Sequence, residues 1–220
     1  MKKVMTFVLC AVLGSFALTG CSESSEPFAQ KEYTAEGEQI REIHIDVRDR
    51  KITVSPSEDS LVHIGYSENN KEYYDISVSE DQVLTMTAES DKEWTDFIGT
   101  KPAAEDREIA LQIPDALLVT LELSTTNEDI ILENLQVKEN ISLDSNGGNI
   151  IFEKADVGNT LELTAKNGNI SGTVAGSYDD FAISSAIKKG ESNLPENKDG
   201  GEKTLQVSCN NGDISVDFQN

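Results

Sequence analysis

Four short stretches of this chain repeat one another: Asn127-Glu128-Asp129-Ile130, Asn146-Gly147-Gly148-Asn149-Ile150, Asn167-Gly168-Asn169-Ile170 and Asn211-Gly212-Asp213-Ile214. Ile130, Ile150 and Ile170 are spaced by 20 residues each, and Ile214 follows 44 residues later. A unit of that size cannot bury a hydrophobic face alone, so it must stack on its neighbours. The last interval fits two coils with an insertion, which residues 189–203, rich in Gly, Asn, Lys and Pro, supply. Between the corners lie second short strands: Ile141-Leu143, Leu161-Leu163, Phe181-Ile183 and Leu205-Val207. Asn and Gly suit such corners because both tolerate positive φ at little cost.

The rest of the chain alternates with period two. Ile43, Ile45 and Val47 are separated by His44 and Asp46; Ile52 and Val54 follow, then Val62, Ile64 and Tyr66. Similar runs are Ile76 and Val78, Leu84 and Met86, Ile109 to Ile113, and Val119 to Leu123. Apolar residues on one face and polar ones on the other predict half-buried strands, and hence an all-β domain over 39–220. Asn-Gly hairpins in a sandwich would also use these corners. A β-solenoid of about 20 residues per coil is preferred, because the corner text repeats in register.

The start of the chain has a different character. Met1-Lys2-Lys3 is basic, Val4 to Ala17 is apolar and uncharged, and Leu18-Thr19-Gly20-Cys21 gives way to polar Ser22-Glu23-Ser24-Ser25. The apolar run falls short of the roughly 20 residues that span a bilayer, so 1–20 reads as a cleaved signal peptide. Leu18, Thr19, Gly20 and Cys21 resemble a lipobox, which implies lipidation of Cys21 and a second acyl signal on the new amino terminus. Two or more acyl chains, such as palmitate, make a stable anchor. The expectation is therefore a lipoprotein on the extracytoplasmic face of a cell membrane, with 21–38 as a flexible acidic, Ser-rich tether.

Cleavage there removes Lys2 and Lys3 and takes the formal charge from −22 to −24. Such a polyanion repels nucleic acid, which is excluded as a partner. Cys10 leaves with the signal and Cys21 is consumed by lipid, so Cys209 stands alone. It alternates with Val207 and reads as a quiet, small strand residue rather than a reactive thiol.

Candidate chemistry is sparse. Ser185-Ala186-Ile187-Lys188 matches Ser-x-x-Lys, but a strand end does not put Lys one helical turn from Ser. Pro195 to Gln206 imitates a calcium loop at Asn197, Asp199 and Gly200, yet lacks both anchoring carboxylates. Asp179-Asp180 is an acidic corner where weak calcium binding is conceivable. His44 and His63 fall on polar strand faces with no spacing rule that would make a zinc site. The carboxylates are many and dispersed, and a glycosidase needs two at a set separation in unequal environments. No catalytic residue, metal or cofactor is therefore assigned. Tyr66, Tyr73, Tyr74, Trp94 and Phe97 could stack on sugar rings, and the Asp91 to Ala104 loop could instead plug an open solenoid end.

The order of the early strands, then Ile113-Pro114-Asp115, then the Asn-Gly corners, resembles the DUF4097 family of adhesin-like, β-helix-forming domains. The stretch Ser184 to Pro195 and the ending Leu205 to Val216 are similar to that family as well, so the resemblance covers about 40–218. It implies an extended β fold on an exported or envelope protein, without catalytic residues to carry over. The expected function is a non-enzymatic, lipid-anchored surface scaffold or binding module for an envelope polymer, glycan or protein. An accessory of envelope-stress signalling that contacts a membrane sensor is the second expectation, and a polysaccharide-active enzyme the third.

Overall fold

The computed structural model describes residues 27–91, 102–114 and 118–220. Among these, all regular structure is β-strand and short 3-10 turns, in two sheets. The lipobox with Cys21, and the loop aromatics Trp94 and Phe97, lie outside the described residues.

The repeats build the centre. β8 (Thr120–Thr125), β11 (Asn140–Ser145) and β13 (Thr160–Asn167) lie side by side and parallel in one sheet. β9 (Ile130–Leu132), β12 (Ile150–Val157) and β14 (Ile170–Ala175) do the same in the other, where β10 (Leu135–Val137) also pairs with β12. A corner thus carries the chain from one sheet to the next and closes no hairpin. Ile150 pairs with both Ile130 and Ile170, and Ile141 with both Leu121 and Leu161. The stack is β-solenoid-like, and a sandwich of hairpins is ruled out by this parallel register.

Both ends of the stack depart from chain order. β2 (Glu42–Asp46) and β3 (Lys51–Pro56) pack on β8 and β9, while the later β6 (Val83–Ser90) and β7 (Glu108–Ile113) lie outside them. At the other end β17 (Lys203–Asn211) slides between β13 and the earlier β15 (Phe181–Lys189), and β18 (Ile214–Gln219) packs on β14. The 44-residue interval does hold two coils with an insertion, but the later coil lies inboard of the earlier one. Ile214 therefore stacks directly on Ile170.

This arrangement aligns inward residues in columns. Leu84, Ile43, Leu121, Ile141, Leu161, Leu205 and Ile183 form one, and Ile109, Ile52, Ile130, Ile150, Ile170 and Ile214 face it. All are buried. Each such side chain contributes roughly 1.5–3 kcal/mol on leaving water, so alternation alone drives the two sheets together.

Antiparallel strands close the N-terminal end. β4 (Leu61–Glu68) pairs with β7, β5 (Glu72–Val78) with β6, and β1 (Ala29–Glu36) with β4. β1 corrects the expectation of a tether through residue 38. Tyr33 and Ala35 pack against the core, and the strand covers an edge that β4 would otherwise present. At the C-terminal end the chain from 190 to 198 does that work. Ser192 bridges Ile214, Asn193 gives its amide to the Val216 carbonyl and takes the Val216 N–H, and β16 (Asn197–Lys198) pairs with β15.

The asparagines and aspartates of the repeated corners form hydrogen-bond ladders rather than left-handed turns. Among the described residues the only left-handed non-glycines are Asp49 and Gln82, so no described corner asparagine uses that region. Instead Asp129 Oδ1 accepts the Asn149 N–H at 2.7 Å, Asn149 Oδ1 accepts that of Asn169 at 2.9 Å, and Asn169 Oδ1 accepts that of Asp213 at 2.9 Å. Glycine is required for close approach: a Cβ on Gly168 would lie 2.1 Å from the Gly148 carbonyl oxygen.

Candidate binding site

The most built polar constellation sits at the corner between β2 and β3. Asp49, at φ 53°, turns the chain and anchors it to the neighbouring corner: its N–H reaches Thr126 Oγ1 at 2.9 Å, and its carboxylate accepts from Asn127 at 2.5 Å. Arg50 then points inward and is 3% exposed. Its Nε donates to the Tyr74 hydroxyl at 2.6 Å and its Nη2 to Glu72 at 2.9 Å. Nη1 turns back to the carbonyls of Asp49 and Arg48, at 3.2 and 3.4 Å. A planar fork with several donors suits this position, and a lysine does not.

Electrostatics follow from that geometry. Burial alone would depress the Arg50 guanidinium, but Tyr74 and Glu72 outweigh it and hold the group above its usual value. Burial pushes the Tyr74 phenol up despite the arginine, so it stays neutral. Tyr66 meets the Tyr74 ring edge-on at 5.4 Å and fixes its plane. Beside this brace lies an open cavity of about 320 Å³, with Arg48, Glu72, Tyr73 and Glu89 among its walls. Tyr73 is half-buried and donates to Asp91 at 3.3 Å, whose charge raises the phenol. Arg48 and Glu89 are exposed.

A second depression, of about 280 Å³, lies on the outer face of the sheet holding β2, β8 and β11. His44, Asp46, Glu122 and Asp144 surround it. His44 Nε2 is 3.5 Å from Glu42 and 3.7 Å from Glu122, and it makes no hydrogen bond among the described residues. Burial raises the Asp144 carboxyl; Lys166 opposes the shift and Asp46 adds to it.

The other sequence candidates disperse. Ser185 is buried beside Ser192, whereas Lys188, three residues along a strand, faces out. Asp180 and Ser177 cap the 3-10 turn Tyr178–Asp180, which accounts for the acidic corner structurally. Asn197 and Lys198 belong to β16, and among the described residues no cluster of His, Cys, Asp and Glu could hold a metal ion. Cys209 is buried, directs its thiol at the Gly168 carbonyl, and is pushed up by burial and then by Asp213. His63 is held between Glu32 and Asp59 on the surface. Tyr66 and Tyr74 do meet at one site, with Tyr73 on its rim. Sequence reasoning missed Arg50 and Glu72. The signal was present in Arg48-Asp49-Arg50, two arginines flanking a corner in a chain poor in basic residues.

A family model for Toastrack DUF4097 matches residues 40–219. The chain belongs to this family. Among solved structures, a protein from Clostridium sporogenes provisionally named a cell adhesion protein aligns with a TM-score of 0.56 at 12% identity, over 87% of this chain and 100% of that one. A Bacteroides fragilis protein provisionally named an adhesin aligns at TM-score 0.38 and 12% identity, over 87% and 98%. The first likeness establishes a shared fold and no more. No curated protein matches the chain. β1, the strand that covers β4, precedes the matched span. No helix among the described residues is long and apolar enough to cross a membrane.

Proposed function

We propose that this chain is a non-enzymatic, lipid-anchored surface protein whose Toastrack domain binds a glycan in the cavity beside Arg50. The observation that carries this reading is a rigid wall, Tyr74 locked by buried Arg50 and Tyr66, next to Tyr73, Glu89 and Arg48. Aromatic faces pack on the C–H faces of sugar rings, and carboxylates and guanidinium groups pair with vicinal hydroxyls. The volume accommodates one or two sugar units. The Cys21 lipid would hold the domain at the membrane, in keeping with the adhesin-like relatives.

Two measurements test this. The mature chain is screened against envelope polysaccharides and host-type glycans, beside Tyr73→Ala and Glu89→Gln variants, which leave the Arg50 brace intact. Binding that both variants weaken at least about tenfold, or roughly 1.4 kcal/mol, supports the site. Absence of binding, or variants that bind like the parent, overturns it. Membrane fractionation and intact mass of the full chain against Cys21→Ala test the anchor, and release of the parent protein without lipid mass sinks that part.

One observation favours a second reading, cleavage of a polysaccharide. Asp46 and Asp144 flank β8, about 9.6 Å apart at the backbone by strand spacing, and burial raises Asp144. Reducing ends released from a polysaccharide by the parent chain but not by Asp144→Asn would establish hydrolysis and displace the non-enzymatic reading.

A further inference from the structure

The corners contain three Asn-Gly pairs, Asn146-Gly147, Asn167-Gly168 and Asn211-Gly212. Such a pair has its own chemistry. The glycine nitrogen, once it gives up its proton, attacks the asparagine side-chain carbonyl carbon. Ammonia leaves, a five-membered succinimide closes, and water opens that ring to aspartate or isoaspartate. Glycine allows this because no Cβ obstructs the approach. The reaction needs a glycine N–H that is not tied to an acceptor and an asparagine side chain free to swing toward it.

Two of the pairs fail both conditions. Gly168 N–H donates to the Asn211 carbonyl at 3.0 Å, and Gly212 N–H donates to the Lys189 carbonyl at 3.0 Å. Asn167 is bound at both ends of its amide, its Nδ2 to the Asn146 carbonyl and its Oδ1 to Asn211 Nδ2. Asn211 shares that second bond and is tied to the same column.

The third pair differs. Asn146 Oδ1 is buried without a hydrogen-bond partner, and Gly147 N–H has no acceptor among the described residues. The cause lies in the register. Ser145 pairs with Thr125 and Ala165, so two residues further on Gly147 stands level with Asn127 and Asn167. It is the gap in a column of asparagines, and Asn146, one position earlier and level with Thr126 and Lys166, stands off that ladder. Gly147 is exposed, which admits water to open the ring.

We propose that Asn146 is the deamidation site of the folded protein, converting ahead of Asn167 and Asn211. Either product adds a negative charge at a position level with Thr126 and Lys166. Isoaspartate also lengthens the main chain by a methylene next to Gly148, where a Cβ would already lie 2.0 Å from the Glu128 carbonyl oxygen.

The test is a time course of the purified mature chain in mildly alkaline buffer, with peptide mapping by mass spectrometry that separates aspartate from isoaspartate. The same chain unfolded in urea is the reference. Expected is conversion of Asn146 at least about tenfold faster than Asn167 and Asn211 when folded, a ratio worth roughly 1.4 kcal/mol of hydrogen bonding at the protected pairs. In urea the three should differ by far less. Equal rates in the folded chain, earlier conversion of Asn167 or Asn211, or a stable Asn146 in a folded chain whose unfolded form converts would each overturn the proposal.

Discussion

The two halves of the molecule solve the same stacking problem by different means. From 118 to 175 each coil repeats the one before, β17 and β18 continue the stack, and like residues touch like: isoleucine on isoleucine, asparagine on asparagine, glycine against a glycine carbonyl. Before that, the coils share the inward columns but not the corners. The corner between β2 and β3 is braced by a buried arginine, and the outer strands run antiparallel. Repetition in sequence is the price of stacking identical corners, and a half that needs no such match is free to place unusual side chains. The cavity lies in the irregular half for that reason.

The largest expected effect comes from adding one methyl group to each half. Gly168→Ala places a Cβ 2.1 Å from a backbone oxygen that cannot turn away, so the corners must part. A loss of about 3 kcal/mol in urea-monitored stability is expected. Gly65→Ala, in β4, meets nothing nearer than Ala110 Cβ at 3.6 Å. It should be neutral or stabilise by up to about 1 kcal/mol. Equal losses from the two would erase the distinction between ladder and edge strand.

Arg50→Lys comes next and probes the irregular half. Charge is kept, but the fork joining Tyr74 and Glu72 is lost, so stability should fall by about 2 kcal/mol. Retention of full stability would mean that packing alone holds this corner. Asn149→Ala is its counterpart in the ladder. The change leaves the Asn169 N–H without its acceptor and Asp129 without one of its donors, for a loss of about 1 kcal/mol. Amide exchange at Asn169 should quicken with it, and unchanged exchange would show that the ladder bond contributes little.

These contrasts also explain what could be read without coordinates. Alternation identified the inward columns because burial acts on every second residue regardless of the partner strand. The 20-residue step between Ile130, Ile150 and Ile170 was legible because stacked corners must match. The order of coils at the two ends was not: nothing in Leu205 to Ile214 says that it packs on β13 and β14 rather than beyond β15. Nor was the reason for the asparagines visible, since a hydrogen bond to the next coil and a tolerance for positive φ favour the same residue. Arg50 was hidden for a related cause. A charged residue at a corner ordinarily faces water, and only the return of β5, 22 residues later, supplies Glu72 to bury it.

The smallest effect concerns how β1 is held, and it has no counterpart past 118, where histidine is absent from the sequence. His63 on β4 contacts Glu32 of β1 at 3.0 Å through Nδ1 and Asp59 at 3.1 Å through Nε2. Thr34 and Gln112 stand opposite it on β1 and β7, and both are uncharged. A neutral ring has one N–H and can satisfy only one of those carboxylates, while the imidazolium satisfies both. Burial lowers the ring, but the bonds to Asp59 and Glu32 prevail, and it is held above its ordinary 6.5. The stabilisation is therefore fully present below about pH 6.5 and is lost as pH rises through the higher folded value. The opposite contribution of Glu108, held low chiefly by Thr53 and then by Lys51, disappears only as pH falls into the carboxylate range, so the two windows are separate. Thermal melts of the parent should fall slightly between about pH 6 and pH 8 relative to His63→Asn, whose profile stays flatter. Solvent screens all three groups, so the difference will be small. Parallel profiles for the two proteins would show that β1 is held by its backbone pairing with β4 alone.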